Sequence, residues 1–485
     1  MRRVFIFWLL LTCVLVAGFA LLAQSPVTVY EGARLIVGDG KAPIENSAFV
    51  VQDGKFTAVG KKGSLKVPAG AAHVDLTGKT VMPAMVDLHG HLGYQNIPAG
   101  TMSKETFTRE NLIDHLERLA YNGIGAVVDV ASLVDRSDMH GGRTNWGDVP
   151  LRVRDEIIPG AALLKTAGDG ISAPGGGPIG HPSRADVPYP VATPEEARAA
   201  VDDYVKIKPS FIKIWEDDRG GTKPKMSPAV YKALIEEAHK FNVPVAAHNV
   251  TLADAKELTR DGVEGWLHVP VRGGEEVDDE LIKIVKQRIA KKDRPNMWMT
   301  PALAEPWMTY NGSSVVGSGK RPEWLDDPLL HDTYSDAAIR QFWGDPLAKM
   351  KPEEIKKAKE IFDGLARNGM KLRAAGIRVL MGTDTGQTRF WIGYSTHMDL
   401  EGLVAMGLTP AEAIVAATSD AARIGQFNTG LVAKGRQADF IVLDANPLES
   451  ISNTRKINKV FLRGGEVPRA TMKVKWQSEF KAAAK

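Results

Sequence analysis

Four histidines, one lysine and one aspartate carry the chemistry that can be read from this chain. Residues 81–88 form a largely apolar run that ends in His89-Gly90-His91. Residues i and i+2 of a strand point to the same face, so both imidazoles emerge side by side. Gly90 between them lets the backbone approach whatever they hold. Two such rings suit a metal ion such as zinc, which takes nitrogen ligands at about 2.0–2.1 Å. A surface pair in a turn is the plainer alternative. His248 closes the stretch Val245-Ala246-Ala247, His268 closes Trp266-Leu267, and Asp384 follows Val379-Leu380-Met381-Gly382-Thr383. Each histidine alone would more often be a packed or surface residue. Of eleven histidines, however, four end expected strands, and packing alone does not produce that joint placement.

Lys213 stands in Phe211-Ile212-Lys213-Ile214-Trp215. Strand alternation turns Ile212 and Ile214 outward and Lys213 inward. An unpaired ammonium in an interior is costly, and burial lowers the lysine pKa. A neutral amine can add carbon dioxide to become a carbamate, an anionic two-oxygen ligand able to bridge two metal ions. An ion pair with Asp384 is the competing way to satisfy the charge.

The elements that must position these residues alternate along the chain. Strands are expected at 81–88, 126–130, 162–166, 211–215, 243–247, 265–267, 297–300 and 378–381. Helices are expected at 108–122, 193–206, 227–241, 251–261, 278–291, 352–375 and 409–424. Thr193-Pro194 with Glu196, and Thr409-Pro410 with Glu412, each supply an N-cap, a first-turn proline and a capping-box acid. Alternation of this kind predicts a parallel sheet, and eight units predict an α/β fold of the (β/α)8 TIM-barrel type over residues 81–425. A doubly wound open sheet would usually carry a Gly-rich phosphate fingerprint after its first strand, and none is present. Short alternating strands with Asp-Gly turns occupy residues 24–80 and return at 439–463. They predict a small β-sandwich domain built from both chain ends, 24–80 and 426–485.

Composition is that of an ordinary globular protein: 485 residues, 44% hydrophobic, 25% charged, net charge +3. No basic stripe suggests nucleic acid as a partner. Arg2-Arg3, an apolar stretch from Val4 and then Gln24-Ser25-Pro26 read as a secretory signal peptide over residues 1–23. That implies a secreted or periplasmic enzyme, or a membrane-anchored one if the long apolar stretch stays uncleaved. The one cysteine, Cys13, lies inside that segment, so the mature chain relies on its core rather than on disulfides.

His89-Gly90-His91, Lys213, His248, His268 and Asp384 together resemble the metal-ligand set of the amidohydrolase superfamily. The likeness is to its binuclear, carboxylated-lysine branch and, within that, to prolidase-like and imidazolonepropionase-related members. The segment 435–444 is similar to the one by which many members return to the β-domain. The resemblance implies a metal-dependent hydrolase with two divalent ions, zinc by default. One ion would be bound by His89, His91 and Asp384 and the other by His248 and His268, with N-carboxylated Lys213 between them. Asp384 would then be the catalytic base. The expected reaction is hydrolysis of an amide in a dipeptide or N-acyl amino acid. Lactone, carbamate or cyclic-amide hydrolysis on the same ions, or a non-catalytic barrel scaffold, are the alternatives.

Substrate selection is expected in the long loops after the strands. These carry His140 and His181 as candidate contacts to a substrate carbonyl or carboxylate, and Arg143, Arg219 and Arg389 as candidates to grip a carboxylate. The loop 302–351 carries Trp307, Tyr310, Trp324, Tyr334, Phe342 and Trp343. These aromatics would either cover a ring-bearing substrate or pack the loop down. A small molecule is the expected partner, and a homo-oligomer the expected assembly.

Overall fold

The computed structural model of the chain describes residues 27–130, 149–177, 184, 187–272, 274–291, 294, 296–387 and 389–483. The signal segment 1–23, His140, Arg143 and His181 lie outside the described residues. Among the described residues, no helix is long and apolar enough to cross a membrane.

The centre is parallel β-structure with helices between the strands. Met85–Gly90, Ile124–Asp129 and Leu163–Thr166 form one three-stranded sheet. Ile212–Glu216, Val245–Asn249, Gly265–Leu267, Trp298–Thr300 and Arg378–Val379 follow one another in a second sheet, extended at its near edge by Ile171–Ser172 and Tyr189–Pro190. Every pairing in both sheets is parallel. Backbone bonds also join the two sheets. Ser210 N donates to Thr166 O at 3.0 Å, and His91 N donates to Thr385 O at 2.8 Å. Spatial order follows chain order from Ile212–Glu216 to Arg378–Val379, and the strand ends that carry His89, Lys213, His248, His268 and Asp384 all face one region.

The expected strand 81–88 is in fact two. Thr80–Pro83 belongs to a different, five-stranded sheet, and Met85–Gly90 starts the parallel one. Pro83 has no N–H to donate, and Ala84 N turns instead to Asp439 O at 3.0 Å. That five-stranded sheet combines Arg34–Leu35 and Thr80–Pro83 with Phe440–Leu443, Ile457–Leu462 and Gly465–Glu466. A four-stranded sheet of Lys55–Lys61, Ser47–Gln52, Thr28–Glu31 and Ala72–Asp75 shares its core. Tyr30 stacks on Phe49 at 5.1 Å and Phe440 on its cross-strand partner Phe461 at 4.6 Å. Edge-to-face contacts between the pairs add to the burial of five aromatic rings.

Both N-caps form, but only the second is a full capping box, because Glu196 reaches past Thr193 to accept from Ala192 N at 2.6 Å. Helix Pro194–Lys206 begins with Thr193 accepting from Glu196 N at 3.1 Å. Helix Pro410–Ala417 begins with the reciprocal Thr409–Glu412 pair. The expected helix 409–424 breaks at Thr418, where the backbone leaves the helical region, and resumes at Ser419–Ile424. Loop 302–351 is largely helical, in Ala304–Gly317, Pro328–Thr333, Asp336–Ile339 and Asp345–Ala348. Its rings pack inward: Trp324, Tyr334 and Trp343 are buried in the main core.

Besides those in 302–351, three further described helices were not expected from the sequence: Val149–Asp155, Tyr394–Met406 and Arg469–Ala483. Tyr394–Met406 is buried nearly all round, so no polar face marks its period. Arg469–Ala483, at the end of the stretch assigned to the β-sandwich, docks on helix Arg109–Tyr121. Fully buried Trp476 donates through Nε1 to Asp114 Oδ1 at 2.7 Å and lies 4.4 Å beneath the Arg118 guanidinium. Trp476→Ala is expected to destabilise the protein by about 3–5 kcal/mol, the usual cost of deleting a buried large aromatic, seen as a lower urea midpoint.

Candidate active site

The first and last parallel strands meet beneath His89 and Asp384. Asp87 binds them together: its Oδ1 accepts from His89 N at 3.0 Å and Thr383 N at 3.1 Å, and its Oδ2 accepts from Thr383 Oγ1 at 2.6 Å. Gly386 permits the crossing, because a Cβ there would lie 2.0 Å from His91 O and its φ is +96°. His268 and Asp384 also hold positive φ, 113° and 61°. Neither is glycine, so backbone strain is concentrated on two of the functional positions.

The expected histidines converge. Ring centroids of His89 and His91 are 5.2 Å apart, His89 and His268 5.0 Å, and His248 and His268 4.9 Å. Asp384 Oδ1 lies 2.8 Å from His91 Nε2 and 3.4 Å from His89 Nε2. It also accepts from Gln387 Nε2 at 3.1 Å. One ligand atom from each of His89, His91 and Asp384 falls within 4.8 Å of the others, a set that could hold a metal ion. Both ring nitrogens of His89 are buried and make no hydrogen bond. Leaving such groups unmet costs about 1–3 kcal/mol each, whereas a neutral imidazole lone pair is what a divalent ion requires. On that observation the residues fit a metal.

Lys213 is 1% exposed, and its Nζ lies 5.1 Å over the Trp215 ring. It makes no ion pair among the described residues, and the Asp384 carboxylate faces the histidines instead. Burial drives the Lys213 pKa well below its ordinary value, and Arg184, Arg272 and Arg219 push it the same way against the pull of Asp384. Burial also holds His89, His91 and His268 well below the usual imidazole value and His248 at about 3. All four rings are therefore neutral near pH 7. His248 Nε2 is taken by Asp217 Oδ2 at 3.1 Å, so its other nitrogen, Nδ1, is the one left to act as a ligand.

The arginines are arranged differently from expectation. Arg219 pairs with Asp217 at 3.1 Å and is 40% exposed. Arg389 pairs with Glu305 at 3.2 Å and stacks 4.2 Å over Trp343, so its charge is already spent on holding the helical insertion. The side chains that do reach the cluster are Arg184, whose Nη2 lies 2.8 Å from His91 Nδ1, and Arg272, whose Nη2 lies 3.5 Å from His248 Nε2. Asp217 and Gln387 also contact the cluster. Nothing in their sequence context marks these four, since a loop arginine or aspartate is by default a solvated one.

Below the cluster, Asp399 accepts from Leu303 N at 2.6 Å and Ala304 N at 3.1 Å, tying helix Ala304–Gly317 to the last strand. Burial and the nearby Asp87 carboxylate raise the Asp399 pKa to about 8.

Parallel strands with intervening helices, and a polar cluster at the strand ends, define an α/β fold of TIM-barrel type. The chain belongs to the amidohydrolase family, whose profile matches residues 80–467. It is accordingly a hydrolase acting on carbon–nitrogen bonds. Ochratoxinase of Aspergillus niger is 24% identical over 474 residues, covering 88% of this chain and 83% of its own length. Enamidase of Eubacterium barkeri is 20% identical over 431 residues, covering 88% of this chain and 89% of its own. In structure, a Xaa-Pro dipeptidase with methionine bound in its active site superposes with a TM-score of 0.66 at 20% identity. That match covers 91% of this chain and 99% of the other, and attests the fold alone.

Two outcomes follow from this geometry. Asp217→Ala frees the Nε2 of His248 and is expected to weaken divalent-cation retention by about 10–100-fold, the usual effect of losing an outer partner of a ligand. Competition with a chromophoric chelator measures it. For Asp399, the raised pKa means the folded protein keeps a proton that the unfolded chain has released between pH 4 and 8, roughly. More protons bound in the folded state make stability fall as pH rises through that window. The buried neutral histidines pull the other way up to about pH 6.5, so Asp399 is read as a difference: from pH 5 to 8 the melting temperature of the wild type is expected to fall relative to that of Asp399→Asn.

Proposed function

We propose that the protein is a secreted, metal-dependent hydrolase of amide bonds in dipeptides or N-acyl amino acids. The observation that carries the reading is the pair of buried, unbonded ring nitrogens on His89 beside His91 and Asp384. His89, His91 and Asp384 would hold one divalent ion, His248 and His268 a second, and carboxylated Lys213 would bridge them. Zinc is the default for imidazole and carboxylate donors. The low pKa and full burial of Lys213 support the carbamate, because only a neutral amine adds carbon dioxide. Bound ions would supply Lewis acidity: a water acidified toward neutral pH and a polarised scissile carbonyl.

The chain's own groups do the remainder. Asp384, oriented by Gln387, takes the proton of the attacking water and passes it to the leaving nitrogen, which departs as an amine. Neutral His91 lies against that carboxylate from the other side, its Nε2 at 2.8 Å. The ochratoxinase and dipeptidase names among the relatives favour an amide substrate over a lactone. In this reading the two parallel sheets are parts of one closed eight-stranded barrel, and the two terminal sheets are a composite β-domain. The charged and apolar start of the chain supports export.

Exhaustive chelation is expected to abolish turnover of an N-acyl amino acid panel, with recovery on adding zinc or manganese. Full activity of the metal-stripped enzyme would sink the proposal. Asp384→Asn is expected to lower kcat by at least about 10²–10⁴-fold, the range for a lost general base, with an unchanged circular dichroism spectrum.

A further inference from the structure

We infer that Arg272 grips the carboxylate of the substrate and so selects amides that have a free carboxylate beside the scissile bond. The inference rests on the amide-hydrolase reading and adds to it the residue that reads the acid.

Three observations converge on Arg272. It has no carboxylate within ion-pair distance among the described residues, and the one group within hydrogen-bond range of its side chain there, His248 Nε2 at 3.5 Å, already gives its proton to Asp217 and accepts nothing. Its Nε is buried and unbonded, while the side chain as a whole retains partial exposure. Donors are therefore held ready at a surface that a ligand can reach. The backbone beneath it is fixed, with Arg272 N donating to Val250 O at 2.9 Å and Asn249 Nδ2 donating to Pro270 O at 2.8 Å. The guanidinium thus stands at the end of the strand that carries His248 and not on a free loop.

Charge at this rim does not balance. Two carboxylates pull on Arg272: Asp384, which faces His91 Nε2 at 2.8 Å, and Asp217, which already accepts from His248 Nε2, from Arg219 N and from the Arg219 side chain. Arg184, 2% exposed, adds a second guanidinium on the His91 side that has no ion pair among the described residues, and its Nε is unbonded there too. A buried cation without a counter-ion costs several kcal/mol. A planar, bidentate, singly charged acceptor meets the geometry of a guanidinium fork. The other two described arginines considered for this task, Arg219 and Arg389, are paired already.

The test uses the metal-loaded full chain and two compounds: N-benzoyl-L-phenylalanine, and N-benzoyl-2-phenylethylamine, which has the same scissile bond and no carboxylate. The wild type is expected to favour the acid in kcat/KM. Arg272→Met is expected to cut that acid-to-neutral ratio on the order of 100-fold, and Arg272→Lys to restore part of it as a point charge. Retained metal and an unchanged melting transition certify that the variants are folded and loaded. An equal loss on both compounds, or a loss traced to weaker metal retention, overturns the assignment, since Arg272 would then be holding the centre together. Calorimetric binding of N-benzoyl-L-phenylalanine separates the two proposals. Binding that disappears in Arg272→Met, with neither compound cleaved, keeps the anchor and removes the amide-hydrolase reading for this substrate class. No binding and no cleavage in the wild type removes both.

Discussion

Cationic and ligand nitrogens outnumber anionic oxygens where the parallel strands end, and water is largely excluded from that place. Four imidazoles, the Lys213 amine and two guanidinium groups meet the carboxylates of Asp384 and Asp217. Desolvation keeps the rings neutral and the amine below its usual basicity. The same condition makes each of them useful. A neutral imidazole offers a lone pair, a neutral amine can be carboxylated, and an unpaired guanidinium waits for an acid. The fold maintains this state by tying the surrounding backbone down, with Asp87 joining the first and last strands and Asp399 joining the last strand to the helical insertion.

Strain and satisfaction are distributed unevenly around that centre. Positive φ at His268 and Asp384 places two side chains of the cluster where a relaxed strand would not put them. Buried hydrogen bonds through Asp87, Asp399 and Gln387 hold the chain in that shape. Three aromatics of 304–348, Trp324, Tyr334 and Trp343, are buried in the core and stiffen the helical insertion.

What could be read in advance was whatever depends on residue type and short period. His89, His91, His248 and His268 were legible because each ends an apolar run, and strand alternation turned Lys213 inward. The arginine contacts were not legible. Whether a loop arginine is solvated, paired like Arg389 or presented like Arg272 depends on neighbours distant along the chain. Tyr394–Met406 was hidden for the opposite reason: buried on nearly every side, it has no polar stripe to reveal a helical period. The division of 81–88 into two strands turned on a single imino acid, Pro83, and on a partner some 360 residues away in the chain, Phe440.

That last pairing has a consequence for biogenesis. Thr80–Pro83 lies hydrogen-bonded between Arg34–Leu35 and Phe440–Leu443 in the finished sheet. A ribosome adding about 5–20 residues per second needs roughly 20–70 s to travel from Pro83 to Phe440. Throughout that interval an apolar strand edge has no mate, and non-local pairing of this kind is slow to form even afterwards. That edge stays open to mispairing until Phe440–Leu443 arrives, so a strand far from the reacting atoms closes the sheet.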